Sequence, residues 1–202
     1  MPLARIRFGR ARKRNLDEAE DAVYGYLYTL RHNGQVQEFF LSSTGGRFQA
    51  CAEVLRHDSL ERRYSPSSIA EELKRLVTVF GRRPEVSLLD AAPAKRTFDW
   101  RRARSLYLYP YTFDRRSPVY TPELEEPVPL YLLPLKPEER RMIISWSELY
   151  RAHDQIWLDS GPLEIGAWRE LADPRSKLAK NGRKICARIE KATGKPIEAL
   201  FG

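Results

Sequence analysis

The sequence predicts an α+β protein, in which an antiparallel meander with an Asn-Gly hairpin packs against helices and precedes a C-terminal helical segment. Ala22–Arg31 alternates like a strand, with three tyrosines on one face. Asn33-Gly34 follows, a dipeptide that type I′ turns favour because both central residues need positive φ. Beyond residue 143 the apolar residues recur at helical spacing. Together these observations indicate a sheet followed by helices.

The meander continues over the next twenty residues. Val36–Leu41 is predicted as its second strand, Gly45-Gly46 as a turn, and Arg47–Leu55 as its third strand. A helix is the competing interpretation of residues 16–31, and Asp17-Glu18-Ala19-Glu20 favours it. We prefer a strand there because of the alternation and the Asn-Gly turn.

A helix is predicted from Pro66 to Phe80. Ser65 is placed to cap its N-terminus, Pro66 suits the first helical position, and Gly81 is placed to end it. Its apolar stripe consists of Ile69, Leu73, Leu76 and Phe80.

Two further strands are predicted, Glu85–Leu89 and Ser105–Phe113, joined by a polar connection over residues 91–104. Six prolines follow within residues 118–137. Because proline cannot donate to a sheet ladder, Val128–Leu135 is predicted as an edge strand or an extended segment.

The last sixty residues are predicted to be helical. Ser145-Trp146-Ser147-Glu148 has the form of a capping box and predicts a helix start. Leu163–Leu171 suits a short helix. Asp173-Pro174 is expected to start the last helix, which Gly194 and Pro196 end.

This last helix separates its apolar and charged residues. At 100° per residue, one face carries Leu178, Gly182, Ile185, Ile189 and Ala192. Another face carries five cations: Lys177, Lys180, Lys184, Arg188 and Lys191. They extend over about 21 Å of helix, and no acid lies within the stripe itself. We predict that this cationic stripe binds a polyanion, either nucleic acid or an acidic protein.

The net charge of +8 is concentrated at the two ends. Residues 1–14 carry six bases and no acid, residues 15–168 sum to −3, and residues 169–202 sum to +5. We therefore expect a basic N-terminal arm at 1–14. A single domain is expected at 15–202, sheet-rich over 22–135 and helical over 143–194.

Several protein classes are not expected. No apolar run approaches the roughly 20 residues of a membrane span, and residues 1–14 lack the apolar core of a secretory signal. A cytoplasmic location is the expectation. Cys51 and Cys186 stand apart without a C-x-x-C pair, so neither zinc nor another metal or cofactor is expected.

Other chemically active residues have structural explanations. His153-Asp154 beside Trp157 resembles a base with its carboxylate, but adjacent helical side chains point about 100° apart, so a buried histidine is favoured. Asp154 could instead form an ion pair with Arg183. His57-Asp58 supplies two metal ligands, too few for a site.

Two further sequence patterns each allow two interpretations. Ser42-Ser43-Thr44-Gly45-Gly46 resembles a phosphate-binding loop in composition, but a hairpin turn is favoured because it lacks the Gly-Lys-Ser/Thr ending. Two rows of tyrosines also allow two interpretations: exposed rings could stack on bases, and buried rings would form part of the core. We favour burial. The rows are Tyr24, Tyr26 and Tyr28, and Tyr107, Tyr109 and Tyr111.

A series of short motifs, in order over about residues 22–200, carries a family resemblance. They are Arg31-His32-Asn33-Gly34-Gln35, Asp58-Ser59-Leu60, Pro127-Val128-Pro129-Leu130-Tyr131, Ile143-Ile144-Ser145-Trp146, Tyr150-Arg151-Ala152-His153-Asp154, Gly182-Arg183-Lys184-Ile185-Cys186, Arg188-Ile189-Glu190 and Thr193-Gly194-Lys195-Pro196. The chain resembles an uncharacterised bacterial family described as zinc-ribbon-containing and as a nucleic-acid-binding candidate.

The resemblance implies nucleic-acid binding but not the zinc site. Members that carry the name follow this last helix with a cysteine-rich ribbon, whereas this sequence ends at Gly202. It also has His153 where a cysteine is expected before Asp154. The zinc function is therefore not expected to carry over.

Two functions from different classes follow. The first is a non-enzymatic nucleic-acid-binding protein that places the cationic stripe and the N-terminal arm on phosphates, with little sequence specificity. The second is a protein-interaction module, of the immunity or adaptor type, that recognises an acidic partner. An enzyme is not predicted, because no combination of acid, base and nucleophile is visible.

Overall fold

The structure is a computed structural model that describes residues 1–12, 15–89, 99–112, 116–122 and 124–199, and the backbone alone at 124–126. The chain divides into two compact units, Met1–Arg96 and Thr97–Gly202. The region expected as one domain, 15–202, thus includes parts of both. Predictions for Lys13, Arg14, residues 91–98 and Phe113 lie outside the described residues.

The first unit is a four-stranded antiparallel sheet with two helices. Its elements are β1 (Leu3–Arg10), α1 (Leu16–His32), β2 (Phe39–Thr44), β3 (Arg47–Glu53), α2 (Ser67–Phe80) and β4 (Glu85–Leu88), with a 3₁₀ turn at Arg62–Tyr64. The strand order is β2-β3-β1-β4. This βαββαβ arrangement is the ferredoxin-like one. Ile6 and Phe8 of β1 share one core with Leu27 of α1 and Leu76 of α2, so both helices cover the same sheet face.

The predicted strand over Ala22–Arg31 is wrong, because these residues belong to α1. The acidic run that favoured a helix is its first turn, where the Asn15 side chain accepts the N–H of Glu18 at 3.2 Å. The buried positions repeat at helical spacing: Ala19, Ala22, Val23, Tyr26, Leu27 and Leu30. The alternation of the tyrosines does not indicate a strand, because Tyr24 and Tyr28 stack one turn apart on a single helix.

Asn33-Gly34 ends α1 and makes no hairpin. The N–H of Gly34 donates to the Arg31 carbonyl at 2.8 Å, and the N–H of Gln35 donates to the Leu30 carbonyl at 3.0 Å. These two bonds define a Schellman motif, which explains the φ of +80° at Gly34. The prediction of positive φ is therefore confirmed for Gly34 and wrong for Asn33, whose φ is −81°, and the structural reason is a helix end.

The hairpin turn lies at Gly45-Gly46, where the sequence predicts a turn between the second and third strands. It joins β2 to β3 with φ of +59° and +74°, the signs that a type I′ turn requires. The second strand starts at Phe39, three residues later than predicted. The third strand, the helix ending at Gly81 and the strand from Glu85 are confirmed within one or two residues. The predicted cap at Ser65 is wrong, because the helix starts at Ser67 and Pro66 is its N-cap.

The basic N-terminal arm is also a misprediction, because Leu3–Arg10 is the strand β1. This strand pairs with β3 on one side and β4 on the other, so it lies inside the sheet. Ala4, Ile6 and Phe8 are buried beneath the helices, and this apolar alternation outweighs the arginines between them.

The second unit combines a mixed sheet with three helices. Its elements are β5 (Leu106–Leu108), β6 (Val119–Thr121), β7 (Leu124–Pro127), α3 (Pro137–Leu158), α4 (Glu164–Ala172), α5 (Lys177–Thr193) and β8 (Ile197–Ala199), with 3₁₀ turns at Trp100–Arg102 and Leu130–Leu132. The strand order is β7-β6-β5-β8, and only the β5–β8 pair among these strands is parallel. Its core joins strand residues such as Leu108 to Ile143 of α3 and Ile185 of α5.

Several boundaries in this unit differ from the prediction. The strand predicted at Ser105–Phe113 is β5, which covers only Leu106–Leu108. The helix α3 starts at Pro137, where the Glu139 carboxylate accepts the N–H of Lys136 at 2.9 Å, so the expected capping box at Ser145–Glu148 lies inside the helix. The edge strand is β7, just before Val128–Leu135, and Pro127 ends it. The last helix begins at Lys177, because Ser176 is its N-cap.

Candidate polyanion-binding helix

The helix α5 is defined by a cap at each end. The Ser176 hydroxyl accepts the N–H of Ala179 at 3.0 Å, and the Glu170 carboxylate accepts the N–H of Leu178 at 3.2 Å. At the other end Gly194 takes φ of +69° and its N–H donates to the Glu190 carbonyl at 2.8 Å. The helix therefore has fixed limits, and its faces have a defined orientation.

All five cations of the predicted stripe lie on α5 and are exposed. They are Lys177, Lys180, Lys184, Arg188 and Lys191. The opposite face is buried and includes Leu178, Gly182, Ile185 and Ile189, as the periodicity predicts. Because the burial of that face holds the helix in place, the cationic stripe faces away from the core of its unit.

Other charged groups on α5 are separated from the stripe. Arg183 donates to the backbone carbonyl of Pro174. Lys195, just beyond the helix, donates to the carbonyl of Ala103 at 2.6 Å. Glu190 is the one acid within Lys177–Thr193, and its position on the helix is about 100° from that of Lys191.

Cys186 is a core residue of α5. It is buried with Leu178 and Ile189 in the same cluster. Burial raises the pKa of its thiol to about 11, so the thiol is protonated at neutral pH. A protonated, buried thiol is neither a good metal ligand nor a nucleophile, which supports the predicted core role.

The suggested ion pair between Asp154 and Arg183 is not formed, because each of the two side chains has another partner. The Asp154 carboxylate accepts from the Thr112 hydroxyl, and Arg151 on the same helix donates to the backbone carbonyls of Tyr111 and Arg116 at 3.0 and 3.1 Å. The side chains of α3 thus anchor the turn that follows β5. His153 is half-buried, and its Nδ1 has no hydrogen-bond partner among the described residues.

Asp58 lies among two arginines and a tyrosine. Its carboxylate accepts from Arg56 at 2.8 Å, from Arg63 at 2.7 Å and from the Tyr64 hydroxyl at 2.8 Å. Burial alone would raise the pKa of Asp58, but the hydrogen bonds from Arg56 and Tyr64 and the nearby positive charges hold it below the ordinary value. Asp58 is therefore an ionised anchor for the loop before α2.

Two motifs of the family resemblance meet in one buried hydrogen-bond network. The Asn33 amide donates to the Gln35 side chain at 2.7 Å and to the Tyr64 carbonyl at 3.0 Å. The Gln35 amide donates to the Ser59 carbonyl at 2.6 Å. Asn33, Gln35 and Ser59 are all buried. The end of α1 is thereby joined to the loop at Asp58, which accounts for these residues structurally.

Neither tyrosine row forms a fully buried surface. Tyr26 is the only buried tyrosine among the six, and Tyr24 and Tyr28 lie on the outer side of α1. In the second unit Tyr107 stacks on Tyr120 with ring centroids 5.5 Å apart, and Tyr109 and Tyr111 are exposed. The favoured interpretation, burial of a whole row, is therefore wrong.

In the part of the chain that the structure describes, no cluster of three or more histidine, cysteine, aspartate or glutamate side chains could hold a metal ion. None of the helices found in the same residues is long and apolar enough to cross a membrane.

Comparison with known proteins follows the division into two units. Residues 1–90 match a family model described as a domain of unknown function (DUF8589), and residues 101–199 match a second one described in the same way (DUF2310). Neither description mentions zinc or nucleic acid. No solved structure matches the sequence.

The curated relatives are two uncharacterised proteins of Haemophilus influenzae (strain ATCC 51907 / DSM 11121 / KW20 / Rd). Each is 36% identical over 90 residues, which is 44% of this chain. The match spans 44% of one relative and 34% of the other, so it covers less than half of either. The chain is therefore similar to uncharacterised bacterial proteins.

One arginine-lined surface of the first unit was not predicted from the sequence. The N-terminal arginines were expected in a basic arm, but Arg7 and Arg10 lie on β1 beside Arg47 of β3 and line one groove with it. Alternation of arginine with Ala4, Ile6 and Phe8 was the available indication of a strand.

Proposed function

We propose that this protein is a non-enzymatic nucleic-acid-binding protein that contacts phosphates through the cationic stripe of α5. The observation that carries the proposal is the exposure of all five stripe cations on the side of α5 opposite its buried face. A row of cations about 21 Å long can follow a charged backbone and release its counterions.

The composition of the stripe implies binding with little sequence preference. Four of its five cations are lysines, whose compact charge contacts phosphates without reading base edges. Affinity should therefore fall steeply with salt and differ little among sequences. Each lost phosphate contact should lower the log–log salt slope by about 0.7 for single strands and 0.9 for duplexes.

The direct test is a titration of labelled single- and double-stranded oligonucleotides at several salt concentrations. Lys180→Glu/Lys184→Glu/Arg188→Glu should weaken binding to all sequences alike and lower the salt slope. Arg62→Glu/Lys74→Glu/Arg141→Glu is the matched control, because these cations are exposed and lie on other elements. The proposal fails if the natural chain does not bind at low salt, or if the stripe variant binds as well as the control.

A protein-interaction module with an acidic partner is the second candidate function. Exposed apolar side chains on and next to α4 favour it: Leu163 is 69% exposed, Ile165 65% and Trp168 52%. An apolar surface on a helix that contacts α5 suits a protein partner better than a nucleic acid.

The two functions can be separated by a change in α4. Ile165→Glu/Trp168→Glu should leave oligonucleotide binding within about twofold, because exposed side chains away from the stripe contribute little to a phosphate contact. If a protein partner is the true ligand, capture of that partner should be lost in this variant and in the stripe variant.

A further inference from the structure

Within the described residues of the first unit both helices cover one face of the sheet, and the other face carries cations. In β1 the buried side chains of Ala4, Ile6 and Phe8 face the helices, so Arg5 and Arg7 project from the other face. A groove of about 960 Å³ lies there. Of the described residues that line it, four are arginines and none is acidic: Arg7, Arg10, Arg47 and Arg82.

Two of these arginines oppose each other directly across the strands. The pairing of β1 with β3 places Arg10 opposite Arg47. Like charges in this position destabilise an antiparallel pair. The opposition follows from a β-bulge between Arg7 and Gly9, with Gly9 at φ of +93°. An anion bound between the two guanidinium groups would remove the repulsion.

A third arginine is held in place before any ligand binds. The Arg82 guanidinium lies against the backbone of Gly9, where a Cβ would be 2.6 Å from its Nη2 and 2.8 Å from its Nε. Its Nη1 donates to the Glu85 carboxylate at 3.0 Å. Glycine at position 9 therefore makes room for Arg82 beside the groove.

The same face presents an aromatic ring to solvent. Phe40 on the edge strand β2 is 70% exposed. It pairs with Cys51, which pairs with Arg5, so these three residues form one row across the sheet. The next row is Ser42, Gln49 and Arg7, and it continues on β4 with Glu85, the carboxylate that accepts from Arg82. Alternate residues of a strand are about 6.6 Å apart, so Arg5 and Arg7 follow each other at this spacing along β1.

We infer that this open sheet face binds single-stranded nucleic acid, with phosphates on Arg5, Arg7, Arg10 and Arg47 and an unpaired base stacked on Phe40. Arginine is well suited to phosphate because its fork of donors binds two oxygens at once. A single strand is favoured over a duplex because only an unpaired base exposes its face to an aromatic ring on an open sheet. The inference goes beyond the proposed function, because the two surfaces share no residue.

The test uses the full-length chain with labelled oligothymidylate and with its duplex on oligoadenylate. Arg10→Ala/Arg47→Ala should lower the single-strand salt slope by about 1.4, the loss of two phosphate contacts. Phe40→Ala should weaken single-strand binding about tenfold, with an unchanged salt slope and unchanged duplex binding. Arg62→Ala/Lys74→Ala, which removes the same charge from other elements, should match the natural chain in both measurements.

Folding of the variants is checked by thermal unfolding. Because Arg10→Ala/Arg47→Ala removes two opposed like charges, this variant should melt no lower than the natural chain. The inference is overturned if Arg10→Ala/Arg47→Ala and Phe40→Ala bind single strands as well as the natural chain. This holds for any binding result of the α5 stripe variant. Loss of binding in the stripe variant alone would support α5 and exclude the sheet face.

Discussion

The indole Nε1–H of Trp146 donates to the backbone carbonyl of Leu178 at 3.0 Å, joining the middle of α3 to the first turn of α5. The indole is 5% exposed and lies in the same core cluster as Leu178. This bond and the buried contacts around it orient α5 within its unit. The outward direction of the cationic stripe therefore depends on α3 as well as on α5 itself.

Trp146→Phe should lower the free energy of unfolding by about 1–2 kcal/mol. The variant loses the hydrogen bond to Leu178 and leaves a small cavity where the larger ring was. Trp168→Phe is the control, because Trp168 is exposed and should change stability by less than about 0.5 kcal/mol. Urea unfolding followed by circular dichroism gives both values, and equal losses would contradict the role of Trp146.

Gly34→Val should destabilise the fold by about 1 kcal/mol or more. Gly34 lies at φ of +80° in the Schellman motif that ends α1, and a β-branched residue is strained there. Gly161→Val is the comparison, since Gly161 is exposed with open space around it. If both substitutions cost the same in urea unfolding, backbone conformation is not the reason that Gly34 is needed.

The stability that Asp58 contributes should depend on pH. Because the folded state lowers the pKa of Asp58, its carboxylate stabilises the protein above the unfolded value near 3.9, and this contribution is lost as the pH falls through the lower folded value. Asp58→Asn should therefore melt lower than the natural chain at pH 7, and the difference should shrink in acid.

Glu61→Gln provides the reference for that measurement. Glu61 forms an ion pair with Arg63 at 3.0 Å, but the pair is exposed and should contribute little. Thermal unfolding of the three proteins between pH 7 and acid compares the two carboxylates. A pH-independent deficit in Asp58→Asn would show that shape, and not charge, explains the loss.

The two cysteines should differ in reactivity. Cys186 is buried with a thiol pKa raised to about 11, whereas Cys51 is half-buried on β3. A thiol-specific reagent at pH 8 should therefore modify one residue of the native protein and two after denaturation. Cys51→Ser should remove the native reaction, and a persistent reaction in this variant would place Cys186 within reach of solvent.

Local sequence patterns predicted the parts of the fold that local forces control. The helix ending at Gly81, the Gly45-Gly46 turn and the two faces of α5 follow from periodicity, glycine conformation and capping. The strand prediction at Ala22–Arg31 failed because these residues form a helix, and the core that buries its apolar side chains is shared with the sheet and α2. A short stretch of sequence does not show such a contact between distant residues. Asn33-Gly34 suits a helix end as well as a hairpin, because each needs positive φ.

The sequence by itself determined the α+β class, the five cations on one face of α5, the turn at Gly45-Gly46 and the helix ends at Gly81 and Gly194. Only the tertiary structure showed that the N-terminal arginines lie on an inner strand and that Arg10 opposes Arg47. Strand pairing joins residues that are far apart in the chain, and its register depends on which face the core buries. Charge and periodicity are local properties, whereas the neighbours of a strand depend on packing across the whole unit.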